Sequence, residues 1–311
     1  MPKKVPKKVR IVQEAKGRKL KEDEKKISFS QFHMYSQCPH KWYLTYVRNL
    51  APYQPSIHAT FGTALHETVQ EWLEVMYTQS AKAADEMDLH ELLRERMTKT
   101  YKKEKYNNGH EHFSTAKEMD SFLEDGIQIL DFLKKKRNTY FPIRGTHLAG
   151  IEVPILFPIK ENLFFKGFID LVFYNENTDR FRIVDIKTST TGWSNYAKND
   201  TDKISQILLY KEFFAKQFET DVEKIDVEYF IVKRKVPMDP EYPAMGRRVQ
   251  EFKPSAGKIN RGRAIKKVAE FVKESFNASG DYIDKQYEKK PSKNNCKFCV
   301  FKENPLCNPS F

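Results

Sequence analysis

No long hydrophobic run occurs in the sequence, and this excludes a membrane-spanning helix. No stretch of the 311 residues approaches the roughly 18 consecutive apolar residues that a span requires. Residues 1–26 are basic and have no apolar centre, so this segment does not have the composition of a secretory signal. We therefore expect a cytoplasmic protein without a membrane partner, and the 40% of hydrophobic residues is enough for a packed core.

Internal repeats and nucleotide-binding loops are also missing. The chain shows no repeat, and it has no low-complexity tract beyond its first 26 residues. It contains no Gly-x4-Gly-Lys-[Ser/Thr] motif, the loop that cradles nucleotide phosphates in ATP-driven motors. Any ATP-driven step would therefore depend on a separate protein.

Cysteine is scarce, and its four positions are unevenly distributed. Disulfides are improbable in a cytosolic chain. Three cysteines fall within twelve residues, as Cys296-x2-Cys299-x7-Cys307, whereas Cys38 stands alone near the start. This spacing favours metal ligation over redox pairing or core filling.

The charge balance favours a polyanionic partner. The formal net charge is +12, and residues 1–26 contribute +7 of it through eleven basic and four acidic residues. A basic balance of this kind is typical of proteins that bind nucleic acid. We predict a basic flexible tail over residues 1–26, and a solvated segment that only keeps the protein soluble is an alternative interpretation.

Helical periodicity dominates the first 140 residues. After a serine cap, residues 28–50 are predicted to form a helix. Residues 58–79 form a stronger amphipathic pattern, and His66 borders its apolar stripe. Residues 81–140 are polar and helical, and we interpret them as a helical insertion. The apolar stripe consists of Phe61, Leu65, Val69, Trp72 and Met76.

The apolar period changes from about 3.6 to 2 after this region, which predicts strands. Residues 235–262 are irregular and contain proline and glycine, and a last helix is predicted at 263–275. The predicted strands are 148–157, 163–174, 181–187 and, after a helix at 203–218, 227–233.

Three acidic residues on the predicted strands, Glu152, Asp170 and Asp185, point to a metal site. Side chains alternate between the two faces of a strand, so Asp185 and Lys187 project to the same side. A turn at 175–180 can bring Asp170 beside Asp185 in an apolar context. Burying such charges is costly unless something pairs with them, and a divalent cation would do so. The alternative is an ordinary Asp185–Lys187 salt bridge on an exposed face.

Two helices add polar residues to this set. Gln206 and Tyr210 are four residues apart on one face of the helix predicted at 203–218. A lone histidine beside an apolar stripe, such as His66, is usually a satisfied core residue. The five elements together, in this order, are much harder to obtain by chance. They are His66, Glu152, Asp170, the Asp185–Lys187 pair and the Gln206–Tyr210 pair.

In these motifs the sequence resembles the PD-(D/E)XK nuclease superfamily, and within it the RecB-like branch. That branch includes the RecB and AddB nuclease domains and the CRISPR-adaptation nucleases. The resemblance covers roughly residues 28–307, and the "PD" of the family is here Ile169-Asp170, a departure common in that branch. The matching motifs are Gly62-x3-His66, Glu152, Gly167-x2-Asp170, Asp185-x-Lys187 and Gln206-x3-Tyr210.

The resemblance implies both a fold and an activity. The fold would be α/β, a restriction-endonuclease-like mixed sheet flanked by helices, in a single nuclease domain over residues 27–311. The activity would be that of a metal-dependent DNA nuclease, an exonuclease in DNA recombination, repair or phage DNA processing. Its substrate would be single-stranded DNA or duplex ends, and a separate helicase or recombination protein would be its partner.

The resemblance also implies roles for the motif residues, with Mg²⁺ or Mn²⁺ as the cofactor. Lys187 would orient the attacking water or help to deprotonate it, and Glu152 would bind a second metal ion or its water. Gln206 and Tyr210 would hold the DNA or position Lys187. The metal ligands would be Asp170, Asp185, the carbonyl of Ile186 and, favouring Mn²⁺, His66.

The cysteines extend the resemblance to members of the branch that carry an iron–sulfur cluster. Those members have one early cysteine in a Tyr-x2-Cys-Pro context, which Tyr35 to Pro39 matches, and three more near the C-terminus. A [4Fe–4S] cluster is implied, but four thiolates also suit a structural zinc ion. Either group would staple residues 291–311 to the start of the domain. The ligands would be Cys38, Cys296, Cys299 and Cys307.

Two other functions are consistent with the sequence. A non-catalytic DNA-binding protein could use the same fold, because a fold does not determine function. A zinc-stapled structural or partner-binding protein is the other alternative.

Overall fold

The computed structural model describes residues 5–15, 17–239 and 241–307, and it shows a six-stranded mixed sheet flanked by helices. This is the mixed α/β fold predicted from the sequence. The strands are β1 (Lys25–Ile27), β2 (Thr146–Lys160), β3 (Leu163–Asn175), β4 (Arg180–Ser189), β5 (Ile225–Lys233) and β6 (Val249–Phe252). The helices are α1 (Lys7–Gln13), α2 (Phe29–Gln37), α3 (Pro39–Trp42), α4 (Ile57–Thr78), α5 (Ala81–Glu86), α6 (Leu89–Asn107), α7 (Ala116–Lys135), α8 (Arg137–Tyr140), α9 (Asn195–Asn199), α10 (Thr201–Gln217), α11 (Lys258–Ser275) and α12 (Lys293–Cys296).

The long strand β3 organises the sheet. It pairs antiparallel with β2 along its whole length. On its other edge it pairs with β1 at residues 163–165 and with β4 at residues 171–175. Further out, β5 is parallel to β4 and β6 is antiparallel to β5. Residues 166–170 of β3 therefore have no strand partner on that edge within the described residues of the chain, and the sheet is open there.

Two hydrophobic cores lie on opposite faces of the sheet. Adjacent residues of β4, Ile183 and Val184, belong to different cores, as the alternation of side chains requires. The first core is closed by α2, α10 and α11 around the buried Trp42. The second is closed by α4, α6 and α7 around the buried Trp72. No helix among the described residues is long and apolar enough to cross a membrane.

The segment predicted as one helix over residues 28–50 is divided at a cysteine. Ser28 caps α2, and its hydroxyl accepts a hydrogen bond from the backbone of Gln31 (3.3 Å). The helix stops at Cys38, which is extended because the next residue is Pro39, and a proline disfavours helical backbone before it. A π-helical turn at Tyr43–Val47 completes the segment.

The segment predicted as a flexible tail contains a helix, α1, that packs on the sheet. Residues 1–4 lie outside the described residues. Val9 and Val12, three residues apart on one face of α1, are 0% and 2% exposed in the first core. The segment also contains most of the strand β1, which pairs with β3. The two valines at helical spacing form the buried face of α1. The basic composition of the segment obscured this short apolar pattern in the sequence.

The predicted helical insertion, residues 81–140, consists of α5 to α8 and packs on α4. One of its contacts with the region after β5 is made by Asp125, which is buried and accepts hydrogen bonds from Arg234 (2.7 Å) and Lys235 (2.8 Å). The region 235–262, predicted as irregular, contains β6 and the start of α11. The strand β6 is only four residues long and is stabilised by pairing with β5, which sequence periodicity does not reveal.

Candidate active site

Asp170 lies where β3 and β4 separate. Pairing between these strands begins at Leu171↔Val184, one residue beyond it. Its carboxylate turns into the open edge, where Oδ2 accepts a hydrogen bond from the backbone N–H of Ile186 (2.7 Å). The open edge of the sheet therefore positions this side chain.

Asp185 and Lys187 project to the same side of β4, as their spacing predicted. The Lys187 ammonium lies 2.7 Å from Asp185 Oδ2. This contact is an ion pair between a buried carboxylate and a partly buried ammonium. Asp185 is only 2% exposed, so its charge is compensated by Lys187 and little else.

His66 reaches the same place from α4. A side chain at Gly62 would put its Cβ 3.2 Å from Thr188 Oγ1, so this glycine allows α4 to approach β4 closely. His66 Nδ1 lies 3.8 Å from Asp170 Oδ2. Burial lowers the pKa of His66 to about 4, and the Lys187 cation adds to this effect, while a hydrogen bond with the Ile186 backbone opposes it. The imidazole is therefore neutral at physiological pH, the form that binds metal ions.

Gln70 is a site residue that the sequence analysis missed. It is buried on α4, and its Nε2 donates to Glu152 Oε1 (2.7 Å) and more weakly to the backbone carbonyl of Asp170 (3.3 Å). Its position, one helical turn after His66, is the signal that could have revealed it. Glu152 has a positive φ of 48°, which is uncommon outside glycine.

Gln206 and Tyr210 complete the cluster from α10. Gln206 Oε1 accepts a hydrogen bond from Lys187 Nζ (3.2 Å), and its Nε2 donates to the Tyr210 hydroxyl (3.4 Å). Gly167 makes room for this tyrosine, because a Cβ there would lie 2.8 Å from the ring. The glycine of the Gly167-x2-Asp170 motif thus serves the packing of Tyr210.

The structure therefore brings the predicted catalytic and metal-binding residues of the carboxylate cluster together, while their roles remain predictions. The order of contacts is Glu152, Gln70, Asp170, with His66 and Ile186 beside it, and then Asp185, Lys187, Gln206 and Tyr210.

The electrostatics of the site are those of buried carboxylates that share too little positive charge. Burial raises the pKa of Asp170 well above its ordinary value, and the neighbouring Asp185 raises it further. Burial also raises the pKa of Asp185, against the effect of Lys187. Burial alone would lower the pKa of Lys187, but Asp185 and Asp170 more than offset this, so Lys187 stays protonated.

These groups fit a divalent cation by their chemistry. The buried carboxylate of Asp185, the partly buried carboxylate of Asp170 and the neutral imidazole of His66 are groups that Mg²⁺ and Mn²⁺ accept as ligands. Among the residues that the structure describes, however, no three His, Cys, Asp or Glu side chains lie close enough together to hold a metal ion.

The four cysteines form a separate group. All four line one small cavity of about 20 Å³ at the start of α3 and the end of α12. Burial raises the pKa of the Cys307 thiol, and the other three thiols add to this. Among the residues that the structure describes, the cysteine thiols are not arranged to hold a metal ion either.

Comparison with protein families identifies a match over most of the chain. A family model of the PD-(D/E)XK nuclease superfamily matches residues 26–307, which include every residue of the carboxylate cluster and all four cysteines. Enzymes of that superfamily typically use Mg²⁺ or Mn²⁺. No curated protein matches the chain.

Proposed function

The chain belongs to the PD-(D/E)XK nuclease superfamily, and from this premise we propose that it is a divalent-metal-dependent deoxyribonuclease that degrades DNA from ends. The observation that carries the proposal is the cluster at the open edge of the sheet. There the Lys187 ammonium contacts Asp185, and Asp170 accepts a hydrogen bond from the backbone N–H of Ile186. The excess positive charge of +12 suits a polyanionic substrate.

The side chains divide the work of hydrolysis. Asp170, Asp185, the Ile186 carbonyl and His66 would hold Mg²⁺ or Mn²⁺, which when bound polarises the phosphate and lowers the pKa of the attacking water. Lys187, held as an ammonium by the two carboxylates, orients that water and offsets phosphate charge.

Neutral side chains hold the charged ones in place. Gln206 accepts a hydrogen bond from Lys187 and thereby fixes the direction of the ammonium, and Tyr210 supports Gln206. On the other side, Gln70 holds Glu152 beside Asp170, where a second metal ion or its water would bind.

The insertion suggests how the substrate enters. The helices α5 to α8 pack on α4, the helix of His66, and one of their contacts with the region after β5 is made by Asp125. We propose that they wall a channel over the site that admits DNA ends, which would make the enzyme an exonuclease.

The cysteines support a place in the RecB/AddB-like branch. Four thiols around one cavity suit a [4Fe–4S] cluster, with zinc as the alternative, and the donor set fits either group. We propose that this group is a structural staple in a single nuclease domain. A cytoplasmic role in DNA recombination, repair or phage DNA processing, with a separate helicase or recombination protein, is the corresponding biological proposal.

Digestion of labelled DNA tests the proposed activity. With Mn²⁺ or Mg²⁺, end-labelled linear DNA should be degraded, whereas closed circular duplex should resist, because a circle offers no end to the channel. Chelation of the metal should stop degradation. Circles cut as fast as linear DNA would contradict the exonuclease proposal while leaving a nuclease.

Variants of the cluster identify the site. Asp185→Ala and Lys187→Ala should each lower the rate at least about 100-fold, the usual scale for a lost acid–base or positioning group. Asp131→Ala, an exposed aspartate on α7, is the matched control and should cleave normally. Circular dichroism should show the same fold in all three. Full activity of Asp185→Ala with Mn²⁺ would refute the site, and DNA binding without cleavage by the wild type would favour a non-catalytic DNA-binding protein.

A further inference from the structure

An exposed aromatic side chain lies next to the site, two residues before Asp170. Phe168 is 46% exposed, whereas the adjacent Ile169 is fully buried. Its ring belongs to neither hydrophobic core. The Tyr210 hydroxyl lies on the side of the Phe168 backbone N–H and packs against the adjacent Gly167, which connects this position to the Gln206–Tyr210 pair. Single exposed hydrophobic residues are common, so the surroundings of Phe168 decide whether it has a role.

The pleat of β3 aligns Phe168 with the catalytic carboxylate. Residues 164–169 of β3 pair with β2 without a register shift. Gly167 and Ile169 face α10, so Phe168 and Asp170 project to the opposite side. Residues two apart on a strand are about 7 Å from each other. Because residues 166–170 have no strand partner on their second edge among the described residues, the edge of the sheet is open beside these side chains.

Cations alternate with the aromatic rings along the same face. Lys166 Nζ lies 5.8 Å from the centre of the Phe168 ring, and the guanidinium of Arg18 lies 4.7 Å from that of Phe164. An adjoining cavity of about 560 Å³ has four lysines and two acids among its lining residues, so positive charge prevails. The charged residues of that cavity are Lys19, Lys25, Lys26, Lys166, Glu24 and Asp281.

Interleaved aromatic rings and cations are the chemistry that binds single-stranded nucleic acid. Each base can stack on a ring, and each phosphate can meet a cation. A base inside a duplex has both of its faces covered by neighbouring bases and must first leave the stack, which costs a few kcal/mol. A ring placed beside the catalytic carboxylate therefore discriminates by strand state.

Resting on the nuclease function proposed above, we propose that Phe168 is a stacking platform for one base of single-stranded DNA. It holds the base next to the phosphate that lies at Asp170, while Lys166 contacts the neighbouring phosphate. The enzyme therefore acts on single strands or frayed ends in preference to intact duplex, and Phe168 is the residue that sets this preference.

Binding measurements in the full-length Lys187→Ala protein test this role without cleavage. Fluorescence anisotropy would compare a labelled oligo(dT) with the matching duplex. Phe168→Leu, which keeps apolar bulk but removes the ring, should weaken binding of the single strand roughly 5- to 150-fold, the range that base–aromatic stacking provides. Duplex binding should not change. Phe168→Trp should bind the single strand as the parent does.

A control and a second signal complete the test. Tyr106→Leu removes an aromatic ring that is 68% exposed at the end of α6 and should have no effect. In an oligonucleotide with 2-aminopurine at successive positions, stacking on Phe168 should quench the fluorescence at one position, and Phe168→Leu should restore it. Single-strand binding by Phe168→Leu at parental strength, or an equal loss for single strand and duplex, would overturn the proposal.

The outcomes separate this proposal from the nuclease function. A wild-type protein that does not cleave, combined with selective loss of single-strand binding in Phe168→Leu, would refute the nuclease and support the platform. Normal cleavage by the wild type, combined with unchanged binding in Phe168→Leu, would refute the platform alone. A protein that binds neither form of DNA would refute both.

Discussion

Glu228 on β5 is a buried carboxyl group outside the proposed active site. Its side chain is 1% exposed, and neither oxygen has a hydrogen-bond donor among the residues described. Arg182 and Lys253 approach it only to 3.8 Å. Burial raises the pKa of Glu228 and the nearby Glu251 adds to this, while the two cations oppose it. The group is thus under-compensated, as Asp170 is, but with no catalytic use in the proposed mechanism.

This residue should make stability depend on pH. Because the pKa of Glu228 is higher in the folded than in the unfolded protein, the folded state holds its proton more tightly. The free energy of unfolding should therefore fall as pH rises above about 4.3, the ordinary pKa of glutamate. Glu228→Gln, which cannot ionise, should lose this dependence on pH and gain stability relative to wild type at pH 7.

Urea unfolding at pH 4 and pH 7.5 would measure the effect, since each pKa unit corresponds to about 1.4 kcal/mol. Glu95→Gln, on the exposed side of α6, is the matched control and should follow the wild type. An unchanged pH trend in Glu228→Gln would mean that the buried carboxyl remains ionised in the folded protein.

Two helices build the active site by the same device. The helix α4 presents His66 and Gln70, and α10 presents Gln206 and Tyr210, each pair four residues apart on one helix face. On α4 both side chains reach acidic residues of the sheet, whereas on α10 Gln206 reaches Lys187 and Tyr210 contacts Gln206 from one turn along the helix. A glycine allows each helix to approach the sheet. Gly62 lies within α4 and faces Thr188, whereas Gly167 lies on β3 and faces Tyr210 of α10.

The helix α1 contributes to the core rather than to a mobile tail, and its valines should affect stability. Val12→Ala should lower the free energy of unfolding by roughly 1–3 kcal/mol, from lost burial and the cavity that remains beside β2. Chemical denaturation would measure this.

Ile11→Ala provides the control within the same helix. Ile11 is 44% exposed, so its truncation should cost less than about 0.5 kcal/mol. Equal effects of the two substitutions would indicate that α1 does not pack on the sheet in solution. A truncation meant to remove basic charge while keeping α1 should therefore delete no more than residues 1–4.

The residues around Cys38 contact the C-terminal part of the described chain beside the cysteine cavity. Asn295 Nδ2 donates to the carbonyl of Gln37 (2.9 Å), and His40 Nε2 donates to the carbonyl of Leu306 (3.0 Å). These hydrogen bonds join segments that are about 260 residues apart in sequence. A metal or cluster bound at the thiols would close the same loop, and such a clip can contribute on the order of several kcal/mol.

Removal of one thiol tests the staple. Protein purified without oxygen should be brown and hold about four irons per chain if the cluster is [4Fe–4S]. Cys299→Ser should lose the colour and melt at a lower temperature, because the loop is no longer closed. Loss of activity should follow loss of folding, since the cysteine cavity and the carboxylate cluster share no residue.

Metal analysis separates the possible results. A colourless protein with one zinc ion would contradict the iron–sulfur proposal but keep the staple. Wild-type melting of Cys299→Ser would remove the staple for either metal.

Much of the fold and of the site was predictable because it depends on local spacing. The strands β2 to β5 were recognised within a few residues, because their apolar patterns are local features of the sequence. The alternation of side chains along a strand placed Asp185 and Lys187 on one side of β4. The weak elements were missed, because β6 and β1 are short and are held by their neighbours rather than by their own pattern.

Other features required segments distant in sequence to meet. Gln70 became a member of the site only through Glu152, 82 residues away, and a buried glutamine has no distinctive spacing of its own. The burial of α1 depended on the surface of β2. Asp170 is reached by the Ile186 amide because the pairing of β3 with β4 stops at Leu171, and this separation follows from how β1 and β4 divide one edge of β3. Residue types and their periods were thus readable along the chain, whereas the open edge that makes a site of them exists only in the assembled sheet, because hydrogen bonding between strands is a long-range property.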